Sequence, residues 1–133
     1  MAQSSVCSYN IIMATEIIGL SHAEREMVAN VVRFNSSLFM SYEELAAGSL
    51  LDREEYLIIA KLTAILRVAN ALDRSHKQKI KDIKVSMKGG HTMQILVDTA
   101  EDLTLEQALF REKAEFFEEV YSIRPVLKAK KLL

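Results

Sequence analysis

The sequence has few of the residues that form disulfide bonds, flexible linkers or membrane-spanning segments. Its one cysteine, Cys7, excludes an internal disulfide and fits a reducing compartment, so we expect a cytoplasmic protein. One proline and four scattered glycines leave no linker between domains. The most apolar stretch, residues 57–72, is interrupted by Lys61 and Arg67, and no signal peptide is evident, so we expect no membrane partner.

The sequence also lacks the usual marks of an enzyme active site. Its three histidines, His22, His76 and His91, are far apart, and none has the spacing of a metal-ligand pair. There is no glycine-rich phosphate loop and no serine elbow. Cys7 has no nearby cationic or histidine partner, so we expect a small buried hydrophobic residue rather than a nucleophile. We therefore predict no metal and no catalysis by this chain alone.

The charge is small overall but unevenly distributed. A net charge of −1 gives no general attraction to nucleic acid or to anionic membranes, so we expect no specific nucleic-acid partner. Between residues 67 and 88, however, cations greatly outnumber the two acids, Asp73 and Asp82. The cations of this segment are Arg67, Arg74, Lys77, Lys79, Lys81, Lys84 and Lys88.

Helix signals dominate the first part of the chain. Residues 9–18 form a short apolar pattern that Gly19 is expected to stop. Three capping boxes then predict helix starts: Ser21 with Glu24, Ser41 with Glu44, and Asp52 with Glu55. The predicted helices run to about Phe34, to just before Gly48 and to about Arg74. Repeated capping of this kind indicates a helical bundle over residues 1–78.

The pattern changes in the second part, residues 79–133. Alternating apolar residues on both sides of Gly89-Gly90 predict a β-hairpin. Thr104 with Gln107 predicts the start of a last helix through Tyr121, with a short edge strand at 124–127 and a fraying basic tail at 128–131. The apolar face expected for this helix comprises Leu105, Ala108, Leu109, Phe116 and Val120. We therefore predict one mainly α domain over residues 1–133, an HD-like bundle followed by a small β-β-α-β annex.

Polar residues on the long helix suggest a site. Arg67, Asn70, Arg74 and Lys77 recur every three to four residues and fall on one helical stripe. Because an unpaired buried charge is costly, this stripe either meets acidic partners inside the fold or faces an anionic ligand. At its end, Asp73 and His76 are one turn apart and can pair, or the basic residues there simply satisfy the last helix carbonyls. Both alternatives stay open.

These same residues resemble a known family. Residues 62–76, LTAILRVANALDRSH, are similar to the signature LxAxLRLADALDRSH in the C-terminal region of exopolyphosphatases and guanosine pentaphosphate phosphohydrolases. Residues 8–12 with 19–21 resemble the family's HSxYLIxNSxxxGLS, and residues 26–35 resemble part of its ExxxIAxVARYH. Residues 116–123 are similar to the closing helix. The resemblance covers nearly the whole chain.

The resemblance implies an accessory role. In this family, two preceding actin-like domains catalyse hydrolysis of a terminal phosphoryl group with Mg²⁺, and this chain has no equivalent of their phosphate loops. The C-terminal region resembles an HD-type hydrolase fold and is expected to hold polyphosphate and build a homodimer. Asp73 matches a late metal-site aspartate of that fold. Cys7 and Asn35, however, stand where the family often has histidines, and this removes ligands from a metal centre.

We therefore expect a C-terminal accessory domain of such a hydrolase. Its partners would be polyphosphate or guanosine pentaphosphate, the actin-like catalytic domains and a second copy, with no cofactor in this chain itself. The alternatives are a degenerate HD-type metal phosphohydrolase that uses Asp73 and His76, and a purely structural dimerisation module. The residues expected to bind the anion are Arg67, Arg74, His76, Lys77, Lys79 and Lys81, supported by Asn70 and Asp73.

Overall fold

The computed structural model describes residues 2–15, 19–35, 38–47, 51–73, 82–99 and 102–130. The chain divides into two compact units, Met1–Thr63 and Ala64–Leu133. Its elements are α1 (Ala2–Ala14), α2 (His22–Phe34), α3 (Tyr42–Ala46), α4 (Arg53–Leu72), β1 (Asp82–Lys88), β2 (Thr92–Asp98), α5 (Thr104–Tyr121) and β3 (Arg124–Lys130). The predicted class, mainly α with a small β annex, is confirmed. The division between the units lies within α4, and the prediction of a single domain stays a prediction.

The predicted capping boxes begin the helices of the first unit. Ser21 Oγ accepts a hydrogen bond from the backbone N–H of Glu24 at 3.1 Å, and the Glu24 side chain accepts one from Ser21 N at 2.9 Å. Asp52 and Glu55 make the same reciprocal pair at 2.8 and 3.2 Å. Ser41 Oγ likewise accepts from the backbone three residues later. Each pair satisfies backbone donors that the first turn of a helix leaves unpaired.

Helix α1 differs from the predicted segment at residues 9–18. It begins at Ala2 and ends at Ala14, while residues 16–18 lie outside the described part of the chain. Gly19 has a φ of +92°, a conformation that favours glycine. The helix packs against α2, where the Arg33 guanidinium lies 5.6 Å from the centre of the Tyr9 ring. Packing of this kind extends helices beyond what local sequence patterns indicate.

An aromatic cluster fills the core of the first unit. Phe34 and Ile59 are fully buried there. Phe39 lies between Phe34 and Tyr56, with ring centres 4.9 and 5.4 Å apart. The Tyr56 hydroxyl donates a hydrogen bond of 2.7 Å to the Met40 carbonyl, which satisfies its polar end within a half-buried position.

A three-stranded sheet in the order β1-β2-β3 organises the second unit. The predicted hairpin is confirmed: β1 and β2 are antiparallel, and both Gly89 and Gly90 have positive φ in the turn. β3 pairs in parallel with β2, and its first residue donates from Arg124 N to the His91 carbonyl at 2.8 Å. β3 is longer than predicted and runs to Lys130, so the prediction that the tail frays from Lys128 was wrong. Pairing with β2 along its whole length keeps this segment extended.

Helix α5 has the predicted bounds but a different cap and a different buried face. Its N-cap is Leu103, which makes no side-chain cap bond, and Asp102 Oδ1 instead accepts from Thr104 N at 3.1 Å and from Thr104 Oγ1. The prediction that Thr104 is the cap was therefore wrong. Leu105 and Ala108 are exposed, contrary to the predicted apolar face. The buried core of this unit consists of Ala64, Val68, Ala71, Ile95, Val97, Leu103, Phe110, Ala114 and Phe117.

We expect this core to tolerate truncation poorly. Phe110→Ala should lower the free energy of unfolding by about 3–5 kcal/mol, because the side chain is nearly fully buried and its loss leaves a cavity. Leu105→Ala, on the exposed side of the same helix, should stay within about 0.5 kcal/mol of the parent. Urea titrations of both variants measure this. Equal losses would contradict the assigned face.

The capping box of α2 makes a pH-sensitive prediction. Hydrogen bonds from Ser21 lower the pKa of Glu24 below its ordinary value. A carboxyl whose pKa is lowered on folding stabilises the fold above its unfolded pKa, and this contribution is lost as the pH falls through the folded pKa. The larger cause is the backbone N–H of Ser21, which alanine keeps, so Ser21→Ala should return the Glu24 pKa only part of the way toward its ordinary value. Ser21→Thr, which keeps the side-chain oxygen as well, should preserve the shift. NMR titration distinguishes the two.

Candidate anion-binding surface

The predicted site residues that the structure describes lie at the C-terminal end of α4. Arg67 and Asn70 are on the last turns of the helix, and Asp73 follows its end at Leu72. Asp73 N donates to the Asn70 carbonyl at 3.2 Å, which closes the last turn. The other predicted anion-binding residues lie outside the described residues, so their role stays a prediction. They are Arg74, His76, Lys77, Lys79 and Lys81.

Arg67 is stacked on an aromatic ring within the second unit. Its guanidinium carbon lies 4.6 Å from the centre of the Phe116 ring, and the residue is half-buried. This burial lowers the pKa of Arg67, and the nearby Glu112 carboxylate acts in the opposite direction. Stacking uses the face of the guanidinium, whereas hydrogen bonds to an oxyanion use its N–H edge. The stacked position is therefore compatible with both of the roles that the sequence leaves open.

A second set of cations lies on the sheet. Because side chains alternate between the two faces of a strand, the register determines which residues share a face. Ile95 and Val97 of β2 are buried on one face. Leu96, which lies between them, therefore points to the other face, as do the residues that pair with it on β1 and β3. In one row across this second face, Lys84 pairs with Leu96, which pairs with Lys128. Lys88 lies on the same face, four residues further along β1.

We call Lys84, Lys88 and Lys128 the basic sheet face. All three are exposed. Lys84 and Lys128 are separated by one strand, or roughly 10 Å, and Lys84 and Lys88 by four residues, or roughly 13 Å. Within the described ranges, none of the three forms an ion pair with a carboxylate. Lys128 was missed as a site residue because the sequence does not reveal that β3 joins β2 in parallel. Lys84 and Lys88 belong to the basic segment of the sequence, but the sequence does not show that they share a face with Lys128.

Arg124 begins β3 but is engaged elsewhere. Its Nε lies 3.7 Å from Glu118 on α5, and both side chains are largely exposed, so the pair adds little stability. A cleft of about 340 Å³ lies beside this pair, between α5 and β3. Arg111 and Arg124 line it together with Glu115 and Glu118, over an apolar floor that includes Phe110. Its charges are balanced, so the cleft is not suited to an anion.

Metal ligands do not gather in the part of the chain that is described. No group of three His, Cys, Asp or Glu side chains lies there in a position to hold a metal ion. His22 Nε2 lies 4.0 Å from the Glu26 carboxylate one turn later, and its Nδ1 lies 3.1 Å from the Arg25 guanidinium. Cys7 is exposed, so the prediction of a buried hydrophobic residue was wrong. His76, the proposed partner of Asp73 in a metal site, is among the residues not described.

Comparison with models of protein families identifies a domain that covers most of the chain. The family model described as Ppx/GppA phosphatase, domain III, matches residues 3–115. No curated protein matches the chain. Among the described residues, no helix is long and apolar enough to span a bilayer.

The Arg67–Phe116 contact can be measured directly. A double-mutant cycle with Arg67→Met and Phe116→Leu should give a coupling of about 0.5–1 kcal/mol, the strength of a cation–π contact that is partly open to water. The matched cycle with Arg111→Met, an exposed arginine on the same helix as Phe116, should give a coupling near zero. Chemical denaturation supplies each free energy. Equal couplings in the two cycles would refute a specific stack.

Proposed function

This chain belongs to the Ppx/GppA phosphatase family, as its domain III, and we propose that it is an accessory domain that holds a linear polyphosphate chain. Hydrolysis, with its Mg²⁺-assisted water, would take place in actin-like catalytic domains of the same kind of protein. The chain would contribute retention and orientation of the polymer, together with dimer or interdomain contacts. It would not supply the nucleophile.

The observation that carries this proposal is the basic sheet face. Three exposed lysines stand on one face and form no ion pair with a carboxylate among the described residues, although Asp82 and Asp98 lie on the same face at one end of the β1–β2 pair. Lysine ammonium groups bind phosphate oxygens as compact point charges and do not require one fixed geometry. Sites about 10–13 Å apart fit an extended polyanion, which presents phosphates continuously, better than one compact nucleotide. We therefore favour polyphosphate over guanosine pentaphosphate.

The end of α4 supplies a second group of cations. Arg67 presents a guanidinium that is already immobilised on Phe116, so less side-chain entropy is lost when it binds a phosphate. Arg74, His76, Lys77, Lys79 and Lys81 would extend this group toward β1 along the chain. Asn70 and Asp73 would orient the arginines. Arg67 belongs to the same compact unit as the basic sheet face but lies on the helix side of the sheet, so the α4 group is a separate candidate and the basic sheet face carries the proposal.

Charge neutralisation predicts a defined salt dependence. Each phosphate neutralised on a flexible strand contributes about −0.7 to the slope of log K against log salt. Three or four contacts therefore predict a slope of about −2 to −3, or roughly 16- to 64-fold weaker binding when the salt concentration rises fourfold. Isothermal titration calorimetry with medium-length polyphosphate at two salt concentrations measures it. Binding that is independent of salt would contradict an electrostatic site.

Paired substitutions locate the site. Lys84→Ala with Lys128→Ala should weaken binding roughly tenfold and reduce the salt slope by about 1.4, because two phosphate contacts are lost. Lys61→Ala with Lys113→Ala removes the same charge from helices that are not part of the basic sheet face and should leave the affinity within about twofold. Arg74→Ala with Lys77→Ala tests the predicted α4 group in the same way. Equal losses in the Lys84/Lys128 variant and in the control would show that only net charge matters.

A further inference from the structure

Strand β1 has an apolar stripe that the described part of the chain leaves exposed. Ile83, Val85 and Met87 pair with Val97, Ile95 and Met93 of β2, so they lie on the face of the sheet that carries the core. On β2, Ile95 and Val97 are at most 4% exposed, but Ile83, Val85 and Met87 are 46%, 55% and 50% exposed. The core face of the sheet therefore continues beyond the part that is buried.

The stripe lies on an edge strand. Within the ranges that the structure describes, β1 pairs with β2 alone, so the other side of its backbone has no strand partner there. Such an edge can accept another extended strand, and natural proteins usually block it with charged residues. β1 carries Asp82, Lys84 and Lys88, so the arrangement of these charges decides which strands it accepts.

We propose that the partner of β1 is β1 of a second copy, paired antiparallel about a two-fold axis at Val85. This is the one register that pairs the strand along its full length. It places Val85 opposite Val85 of the second copy, and Ile83 opposite Met87 at two equivalent positions. The apolar stripes of the two copies then meet on one face, and the two sheets join into one sheet of six strands.

The charges of β1 support this register. With Val85 on the axis, Asp82 lies opposite Lys88 of the second copy at both ends, and Lys84 lies opposite the neutral Ser86. Opposite charges across neighbouring strands stabilise pairing, whereas like charges destabilise it. A shift of two residues in one direction would place Lys84 opposite Lys84, and in the other direction it would place Lys84 opposite Lys88. The sequence of charges thus selects the proposed register.

The pairing within the chain adds a further reason. Asp82 lies directly opposite Asp98 in the β1–β2 pair, which sets two acids side by side at one end of the sheet. Like charges in that position are unfavourable. A lysine arriving on the open side of Asp82 would offset this repulsion, and Lys88 of the second copy arrives there in the proposed register.

This inference builds on the proposed function and gives the dimer a role in it. A two-fold axis perpendicular to the sheet keeps the outer faces of both copies on the same side, so the two basic sheet faces become one surface. Lys88 pairs with Asp82 between the copies, and Lys84 and Lys128 of each copy are the cations that this surface offers to the polymer. A long polyphosphate chain can then contact both copies, and the second contact is intramolecular and strengthens binding without a new kind of interaction. A short chain contacts one copy only.

Sedimentation velocity of the 133-residue chain at rising concentration tests the proposal. The parent should shift from monomer to dimer. Lys88→Glu places two acids opposite each other at both ends and should weaken association roughly tenfold or more. The double variant Asp82→Lys with Lys88→Glu restores opposite charges and should recover the dimer. Lys61→Glu, the same charge change in the first unit, should associate like the parent.

Each outcome bears on the proposal. Recovery by the double variant supports the register, since a variant that merely misfolds would not recover; circular dichroism checks folding of all four proteins. A chain that remains monomeric, as it would if another domain normally covers β1, overturns the β1 pairing. A dimer whose association is the same in the parent, the Lys88→Glu variant and the double variant also overturns it. Calorimetry with polyphosphate tests the proposed function separately. If the chain is monomeric and binds polyphosphate, the β1 pairing is contradicted and the proposed function stands. If the chain is dimeric and does not bind polyphosphate, only the proposed function is contradicted.

Discussion

The central position of β2 is the constraint on which the second unit depends. This strand pairs with β1 on one side and with β3 on the other, so its alternation sets the two faces of the whole sheet. Ile95 and Val97 point to the face that packs with α5 and with the end of α4, and they are almost completely buried. Slipping the register by one residue would exchange the faces of the strand and expose this core.

The same constraint produces the candidate functional surface. Once Ile95 and Val97 are fixed inward, Leu96 must face outward, and its partners Lys84 and Lys128 stand on either side of it. Residues 44 positions apart in the sequence are thus brought to one face by pairing with a shared strand. The lysines need no further support, because a solvated ammonium group carries little desolvation cost. The register of β2 therefore determines both the burial of the apolar face and the exposure of the lysines.

Local patterns in the sequence predict much of this fold. Capping boxes identify the starts of α2, α3 and α4 because both partners lie within one turn, and the glycine turn identifies the hairpin. Features that depend on distant contacts were not predicted. The burial of Phe110 and Phe117 instead of Leu105 on α5 depends on where the sheet lies.

The candidate site shows the same limit. Arg67 was predicted from its spacing on α4, but its stacking on Phe116 follows from packing against α5. Lys128 was assigned to a fraying tail, although a parallel strand places it beside Leu96.

An NMR titration of the labelled chain with polyphosphate tests the proposed polyphosphate site residue by residue. The proposed site predicts amide shifts concentrated at Lys84, Lys88, Lys128 and the end of α4, with α1 and α2 unchanged. Shifts confined to α1 and α2, or none at low salt, would contradict it.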